Sequence, residues 1–411
     1  AVGVAGNLTM IVLALTQMLG VGTTALISHA TGEKDQARAE LIFNQSFVMS
    51  IVVAVGLGVI GFLLRDIYSN SLSANAATAA LAKSYLTWFI PGMLLQFPLV
   101  ALGSALRASG IVKPAVGLQV LSVILNMILA PLLIFGPVGL PRLGVTGAAL
   151  ATFISILVAN VLMVIYFQKR FQYLRFRIGH WRPRFKVWWS MLRIGLPAGA
   201  EFALLFLYIV IVYGIIRNFG PAAQAGFGVG ARIMQALFLP AMALSFAVSP
   251  VVGQNFGGRK ADRVWQSVTA AIGLGSAIML LLTLVAHYFP AILIRGFSSD
   301  PHVIEFGSQY LRIVSLNFVA AGIVFSTSSV FQGLGNTLPP LLSSMSRLFL
   351  FALPAFWLSH KAGFVLTTVW YLSVASQLFQ ACLNLFLLWR ELRQKLVFPE
   401  GPELLSGAVA S

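Results

Sequence analysis

From Val2 to Arg38 the chain reads VGVAGNLTMIVLALTQMLGVGTTALISHATGEKDQAR; from Phe227 to Arg263 it reads FGVGARIMQALFLPAMALSFAVSPVVGQNFGGRKADR. The two stretches align without a gap at an offset of 225 residues. Gly3 meets Gly228, Gly32 meets Gly257, and Arg38 meets Arg263. The same offset carries Tyr85-Leu86 onto Tyr310-Leu311, Gly110 onto Gly335 and Pro114 onto Pro339. One matched glycine means little, but a register kept over so long a stretch marks an internal duplication.

Composition says what kind of unit was duplicated. Of 411 residues, 58% are hydrophobic and 9% charged, where a soluble domain carries about 25% charged residues. Too little polar surface is left to face water, so the chain is expected to lie in a lipid bilayer. A spanning helix needs about 20 apolar residues. Candidate spans run at 3–28, 44–64, 84–106, 114–135, 146–168, 194–217, 226–253, 266–290, 306–332, 339–360 and 365–389, eleven in all. Their length and lack of strict alternation predict helices rather than barrel strands, hence an all-α integral membrane protein. Cys382 is the single cysteine, which excludes an internal disulfide and a cysteine-based metal site.

Charge orients the spans. Of the 27 Lys and Arg, only Arg65, Arg142, Arg217, Arg295 and Lys361 fall in one set of alternate loops. Lys83, Arg232, Arg312 and Arg347 lie at or within spans, and all the others fall in the opposite set. The richer side is cytoplasmic by the positive-inside rule, so the C-terminus is expected in the cytoplasm and the protein in the plasma (inner) membrane. The +16 net charge is thereby a topology signal. Basic residues scattered over short loops do not make a nucleic-acid-binding face. The densest run, KRFQYLRFRIGHWRPRFKVWW from Lys169, mixes basic and aromatic residues. It suits a segment on anionic headgroups, or a plain linker between the halves.

The expected organisation is therefore an N-lobe at 1–168, a basic-aromatic cytoplasmic linker at 169–193, a C-lobe at 194–390 and a largely disordered cytoplasmic tail at 391–411. In the second copy the span 194–217 precedes the matched region, and its counterpart would fall ahead of Ala1. The complete protein is expected to have twelve spans, with the first missing from this chain, in two six-helix bundles related by a pseudo-twofold axis along the membrane normal. Large internal repeats of this kind are the usual architecture of secondary transporters.

GLPAGAE at Gly195, AAQAGFGVGARI, FLPAMALSFAVSPVVGQNFGGRKADR and FQGLGNTLPPLL, with SHATGEKDQARAE and ALRASGIVKPA in the first half, resemble the multidrug and toxic compound extrusion (MATE) family. The likeness runs from about Gly3 to Arg390. It implies two lobes around a cavity, alternating access, and efflux of cationic or amphipathic organic compounds in exchange for H+ or Na+. It implies no bound cofactor, a coupling ion of H+ or Na+, the lipid bilayer and small organic cations as partners, and a monomer. Members resembling the NorM branch carry a coupling Glu in the span after the GLP, about one turn beyond Glu201. The span 306–332 holds no Asp to match that branch's second acid, which favours H+ here. A lipid-linked saccharide flippase or another metabolite exporter of the same superfamily is the alternative. A flippase would need several basic groups inside spans, and Arg347 is the main one present. An enzyme is not expected: no HExxH, GxSxG or paired intramembrane aspartates occur.

Of eleven acidic residues, Glu201 alone lies clearly within a span, two turns beyond Arg193. A charge near mid-bilayer costs roughly 3 kcal/mol on insertion scales. A carboxyl kept there can hold H+, Na+ or a cationic cargo, one at a time, and that exclusion is the simplest basis for antiport. Capping a helix start or pairing with Arg193 is the structural alternative. Spacing puts Leu205 and Tyr208 on the face of Glu201. Gln96, Gln119, Asn126, Gln235, Asn317 and Gln332 are further polar candidates for the cavity, against the alternative that they tie helices together. Met93 and Phe325 are candidates for an adaptable apolar wall, against plain packing. Among the prolines inside spans, Pro91 followed by Gly92 is the candidate hinge. PVVGQNFGGRK reads as a helix stop, with glycine in the left-handed cap and cations behind it.

Overall fold

The computed structural model describes residues 2–71, 76–136, 142–361 and 363–397. Among them every regular element is a helix. The first lobe contains α1 (Val2–Gly32), α2 (Gln36–Ser71), α3 (Ala76–Leu94), α4 (Gln96–Ala108), α5 (Lys113–Phe135) and α6 (Val145–Lys169). The second contains α7 (Phe185–Ile216), α8 (Pro221–Gly257), α9 (Ala261–Tyr288), α10 (Pro290–Arg295), α11 (Pro301–Val314), α12 (Asn317–Gly333), α13 (Leu338–Ser359) and α14 (Leu366–Lys395). The sequence offset is also a structural one: α1 and α8 end at Gly32 and Gly257, α4 and α12 end at Ala108 and Gly333, and α5 and α13 begin at Lys113 and Leu338. Ten helices among the described residues are long and apolar enough to span a membrane, or eleven when α11 and α12, bent by 55°, count as one span.

Helix boundaries depart from expectation where the chain is tied down. The segment expected as a linker is folded. The side chains of Asn44 and Gln45 on α2 hold its backbone: Asn44 donates to the Arg175 carbonyl (2.8 Å) and accepts from the Arg177 N–H (2.9 Å) and the Trp181 indole (3.1 Å). Gln45 donates to the Arg182 carbonyl (2.9 Å) and accepts from the Arg184 N–H (2.8 Å). Phe171 and Leu174 are buried beneath it, and Phe176 packs on Phe43 and Phe47. A strap with its carbonyls satisfied this way is part of the lobe, and α7 starts directly after it, at Phe185. At the other end α14 continues as helix to Lys395, past the expected start of the tail. The tail from 398 lies outside the described residues.

The helix interruption in this region does not fall at Pro91. Pro91 sits within α3, and a Cβ on Gly92 would stand 3.3 Å from the Phe153 Cα, so the pair is packed against α6. The interruption is at Leu95 instead. Pro98, three residues on, lacks the N–H that would bond the Leu94 carbonyl, and this breaks the ladder there. A second break, between α11 and α12, falls at Ser315–Leu316, positions that the repeat equates with Ile90–Pro91 rather than with Leu95, and it has no proline. The Leu316 N–H turns to Ile313 (3.2 Å), and two side chains from α9 take the carbonyls at the bend. Thr283 donates to Ser315 O at 3.2 Å and His287 Nδ1 donates to Arg312 O at 2.8 Å.

The lobes meet along α1, α7 and α8. A Cβ on Gly22 would strike the Met191 carbonyl, and one on Gly195 the Met18 carbonyl, so backbones touch where only hydrogen side chains fit. The contact continues to the end where the basic loops lie. A Cβ on Gly32 would strike the Gln254 carbonyl, and one on Gly257 the His29 carbonyl. These glycines serve close approach rather than capping. The left-handed cap positions fall on Lys34 (φ 61°) and Arg259 (φ 54°), which are also related by the repeat. Two equivalent hydrogen bonds close this end. His29 Nε2 donates to the Gly333 carbonyl at 2.7 Å, and Gln254 Nε2 donates to the Ala108 carbonyl at 2.7 Å. Each takes the last carbonyl of a helix in the opposite lobe, where no intrahelical donor remains.

Candidate functional site

Glu201 projects from the middle of α7, on a face turned away from the α1 seam. One turn before it, Ala198 is buried, and Gly195 and Gly199 lie against Met18. The carboxylate is half-buried and turned into the second lobe. Its Oε1 accepts from Ser328 of α12 at 2.9 Å and from Ser344 of α13 at 3.4 Å. Gln380 of α14 donates to the Ser344 hydroxyl at 2.8 Å. Four helices thus converge on one carboxyl group through hydroxyl and amide groups. Among the described residues no ion pair involves Glu201, so it does not pair with Arg193. A carboxyl with hydroxyl neighbours and no fixed cation on it can take up and release a proton or a small cation without breaking a salt bridge.

Two turns beyond, Tyr208 continues the same face. Its hydroxyl lies 2.7 Å from the Ser373 hydroxyl, and Asn317 donates to that same serine at 3.2 Å. The guanidinium carbon of Arg347 lies 4.6 Å from the centre of the Tyr208 ring. Tyr208 and Asn317 therefore belong with Glu201 on one polar track inside the second lobe. Leu205 is 41% exposed, on the open side of α7.

The remaining candidates are placed apart from this track. Asn126 donates to Thr152 of α6 at 3.1 Å, tying α5 to α6. Gln119 lies near Gly103 of α4. Gln96 opens α4 at the break and is half-buried, Gln235 is exposed on α8, and Gln332 is half-buried at the end of α12. Met93 packs in the core of the first lobe. Phe325 packs against a cluster built on Ala241, Met279 and Phe318. Pro91 and Gly92 lie within α3, against α6. Sequence reasoning missed Ser328, Ser344, Gln380 and Ser373. The only signal was the density of hydroxyls in FSTSSVF and LLSSMSR, and it does not say which hydroxyl turns inward.

A duplicated helical bundle, apolar throughout, with a lone carboxyl on an internal polar track and its lobes sealed at one end, defines a membrane transporter. The MatE family model matches residues 1–132 and 197–358, and the chain belongs to this family of multi-pass membrane transporters, which are not enzymes. It is 26% identical over 349 residues to the FAD transporter of Shewanella oneidensis, covering 84% of this chain and 76% of that one. It is 27% identical over 390 residues to the probable multidrug resistance protein NorM of Thermotoga maritima, covering 93% and 83%. In fold it is similar to an outward-facing multidrug resistance MATE family transporter of the MOP superfamily, with a TM-score of 0.89, 23% identity, and 96% and 88% of the two chains covered.

Proposed function

We propose that this transporter is a secondary active exporter that exchanges H+ for amphipathic organic cations, with Glu201 as the group both species occupy. The observation that carries this reading is the Glu201 environment: an intramembrane carboxylate held by Ser328 and Ser344 and engaged by no ion pair among the described residues. A proton on Glu201 abolishes the charge that holds a cation, and a bound cation disfavours the proton. Coupling follows when the seam between the lobes opens to one side at a time. The basic end, closed by His29 and Gln254, is read as cytoplasmic, so in this conformation the seam is latched on the cytoplasmic side. The chain acts as a monomer in the inner membrane, because the seam lies within it.

The test is transport of a fluorescent cation by proteoliposomes under an imposed H+ or Na+ gradient. The wild-type protein responds to the H+ gradient, and Glu201→Gln does not. Equal transport by both proteins removes Glu201 from coupling; a response to Na+ alone replaces H+ as the coupling ion. A second reading, export of a metabolite that carries anionic groups, is supported by the basic side chain of Arg347 inside the same lobe.

A further inference from the structure

Arg347 stands on α13 one turn beyond Ser344, the serine that reaches Glu201. It lies over Tyr208, which stands two turns beyond Glu201 on α7. The helix rise of about 1.5 Å per residue puts the two charged groups roughly 5–10 Å apart along one wall. Neither neutralises the other, since no ion pair among the described residues involves Arg347 or Glu201. The Arg347 Nε is enclosed and unbonded. In the same lobe, the Trp370 indole N–H and the side-chain amide oxygens of Asn317, which bonds the Ser373 that tethers Tyr208, and of Gln380, which bonds Ser344, are buried and also lack partners. Buried polar groups are nearly always satisfied, so a cluster of unsatisfied ones on a single track marks where a guest or ordered water completes the bonding. The guanidinium laid on the Tyr208 ring keeps its Nε–H unbonded, and a guanidinium N–H is the donor that suits a carboxylate or phosphate.

We propose that Glu201 and Arg347 are the two poles of one binding site, and that its cargo is an amphipathic zwitterion. The carboxylate or phosphate of the cargo faces Arg347, and its ammonium or other cationic group faces Glu201. The proposal rests on the Glu201 reading above and deepens it. Ionised Glu201 and Arg347 sum to zero, so a zwitterion enters with both charges met. A simple cation leaves Arg347 facing a like charge, and a simple anion leaves Glu201 in the same position. Protonation of Glu201 removes the pole for the ammonium, so exchange with H+ is kept. Tyr208, tethered to Ser373, is the positioning residue that holds the guanidinium flat.

The test compares rhodamine B, a zwitterion at neutral pH, with its ethyl ester, a cation of nearly the same shape. Equilibrium binding to the purified full chain is measured by fluorescence anisotropy without any gradient. Wild-type protein is expected to bind rhodamine B at least ten-fold more tightly than the ester. Arg347→Gln is expected to lose that preference while its affinity for the ester stays the same or rises, and Arg347→Lys to keep part of it. The wild-type comparison needs no variant, so a misfolded Arg347→Gln does not remove the test. Equal wild-type affinities for the two dyes, or an equal weakening of both by Arg347→Gln, overturns the proposal. Failure of the Glu201 reading shows separately, as ester binding that does not respond to pH.

Discussion

A serine or threonine within a helix usually returns its hydroxyl to a carbonyl three or four residues back. Thr327 bonds to Ile323 and Val324, and Ser329 to Ser326, in this manner. Ser328 departs from the pattern and spends its hydrogen bond on Glu201, which is how one residue of a hydroxyl run becomes part of a site. In the proposed exchange the chemistry rests on this one carboxyl, so replacing Glu201 with Gln is expected to flatten the pH profile of cation binding. In the wild type, affinity falls as pH is lowered, because protons fill the group the cation needs; in Glu201→Gln it stays level. Isothermal titration with the fluorescent cation at several pH values reads this. The strap depends on single residues in the same way. Asn44→Ala leaves the Arg175 carbonyl, the Arg177 N–H and the Trp181 indole without their partner. At about 1–3 kcal/mol for each group left unsatisfied, thermal unfolding in detergent should move down by several degrees. An unchanged melting curve would show that the strap is not held by this side chain.

Helices were legible in the sequence because an apolar window of membrane length has few other outcomes, and the register of the repeat fixed how they pair. Where they break was not legible. Pro91 lies within an unbroken helix, the interruption follows from Pro98 acting on the Leu94 carbonyl, and the bend at Leu316, the repeat's counterpart of Pro91, uses no proline at all. Its cause is tertiary: Thr283 and His287, one turn apart on α9, supply donors to the Ser315 and Arg312 carbonyls. No local pattern carries that information. The same limit applies to the site. Glu201 was visible as a charge in an apolar span, and Tyr208 by its spacing from it, but Ser328, Ser344 and Gln380 come from three other helices. Asn126 looked equally polar and is spent on Thr152. Thr283→Val keeps the shape and removes the donor, at a cost of roughly 1 kcal/mol for one hydrogen bond. Hydrogen exchange at Ser315 and Leu316 should quicken in that variant; unaltered exchange would place the cause of the bend elsewhere.

At the scale of the whole molecule, duplication gives the closed end its form. His29 and Gln254 are equivalent positions, and so are the carbonyls they bind, Gly333 and Ala108. At about 1 kcal/mol for each hydrogen bond, losing both shifts the balance between the two lobe arrangements about thirty-fold. Labels at Ile67 and Ile292, which are 67% and 65% exposed and related by the repeat, report this at the opposite end of the lobes. With Cys382 replaced by Ser, spin-label distances should shorten in His29→Ala/Gln254→Ala as that end closes, whereas His29→Gln, which makes the two latches alike, should leave them unchanged. No shift in the double variant would mean the glycine contacts alone hold the closed end. The central claim is that proton and cargo share one carboxyl, and proton release on cargo binding tests it most directly. Adding rhodamine B ethyl ester to the purified protein in weakly buffered detergent solution, with a pH-sensitive dye present, is predicted to release protons in wild type and none in Glu201→Gln. Equal release from both proteins, or none from the wild type at any pH, would contradict the account.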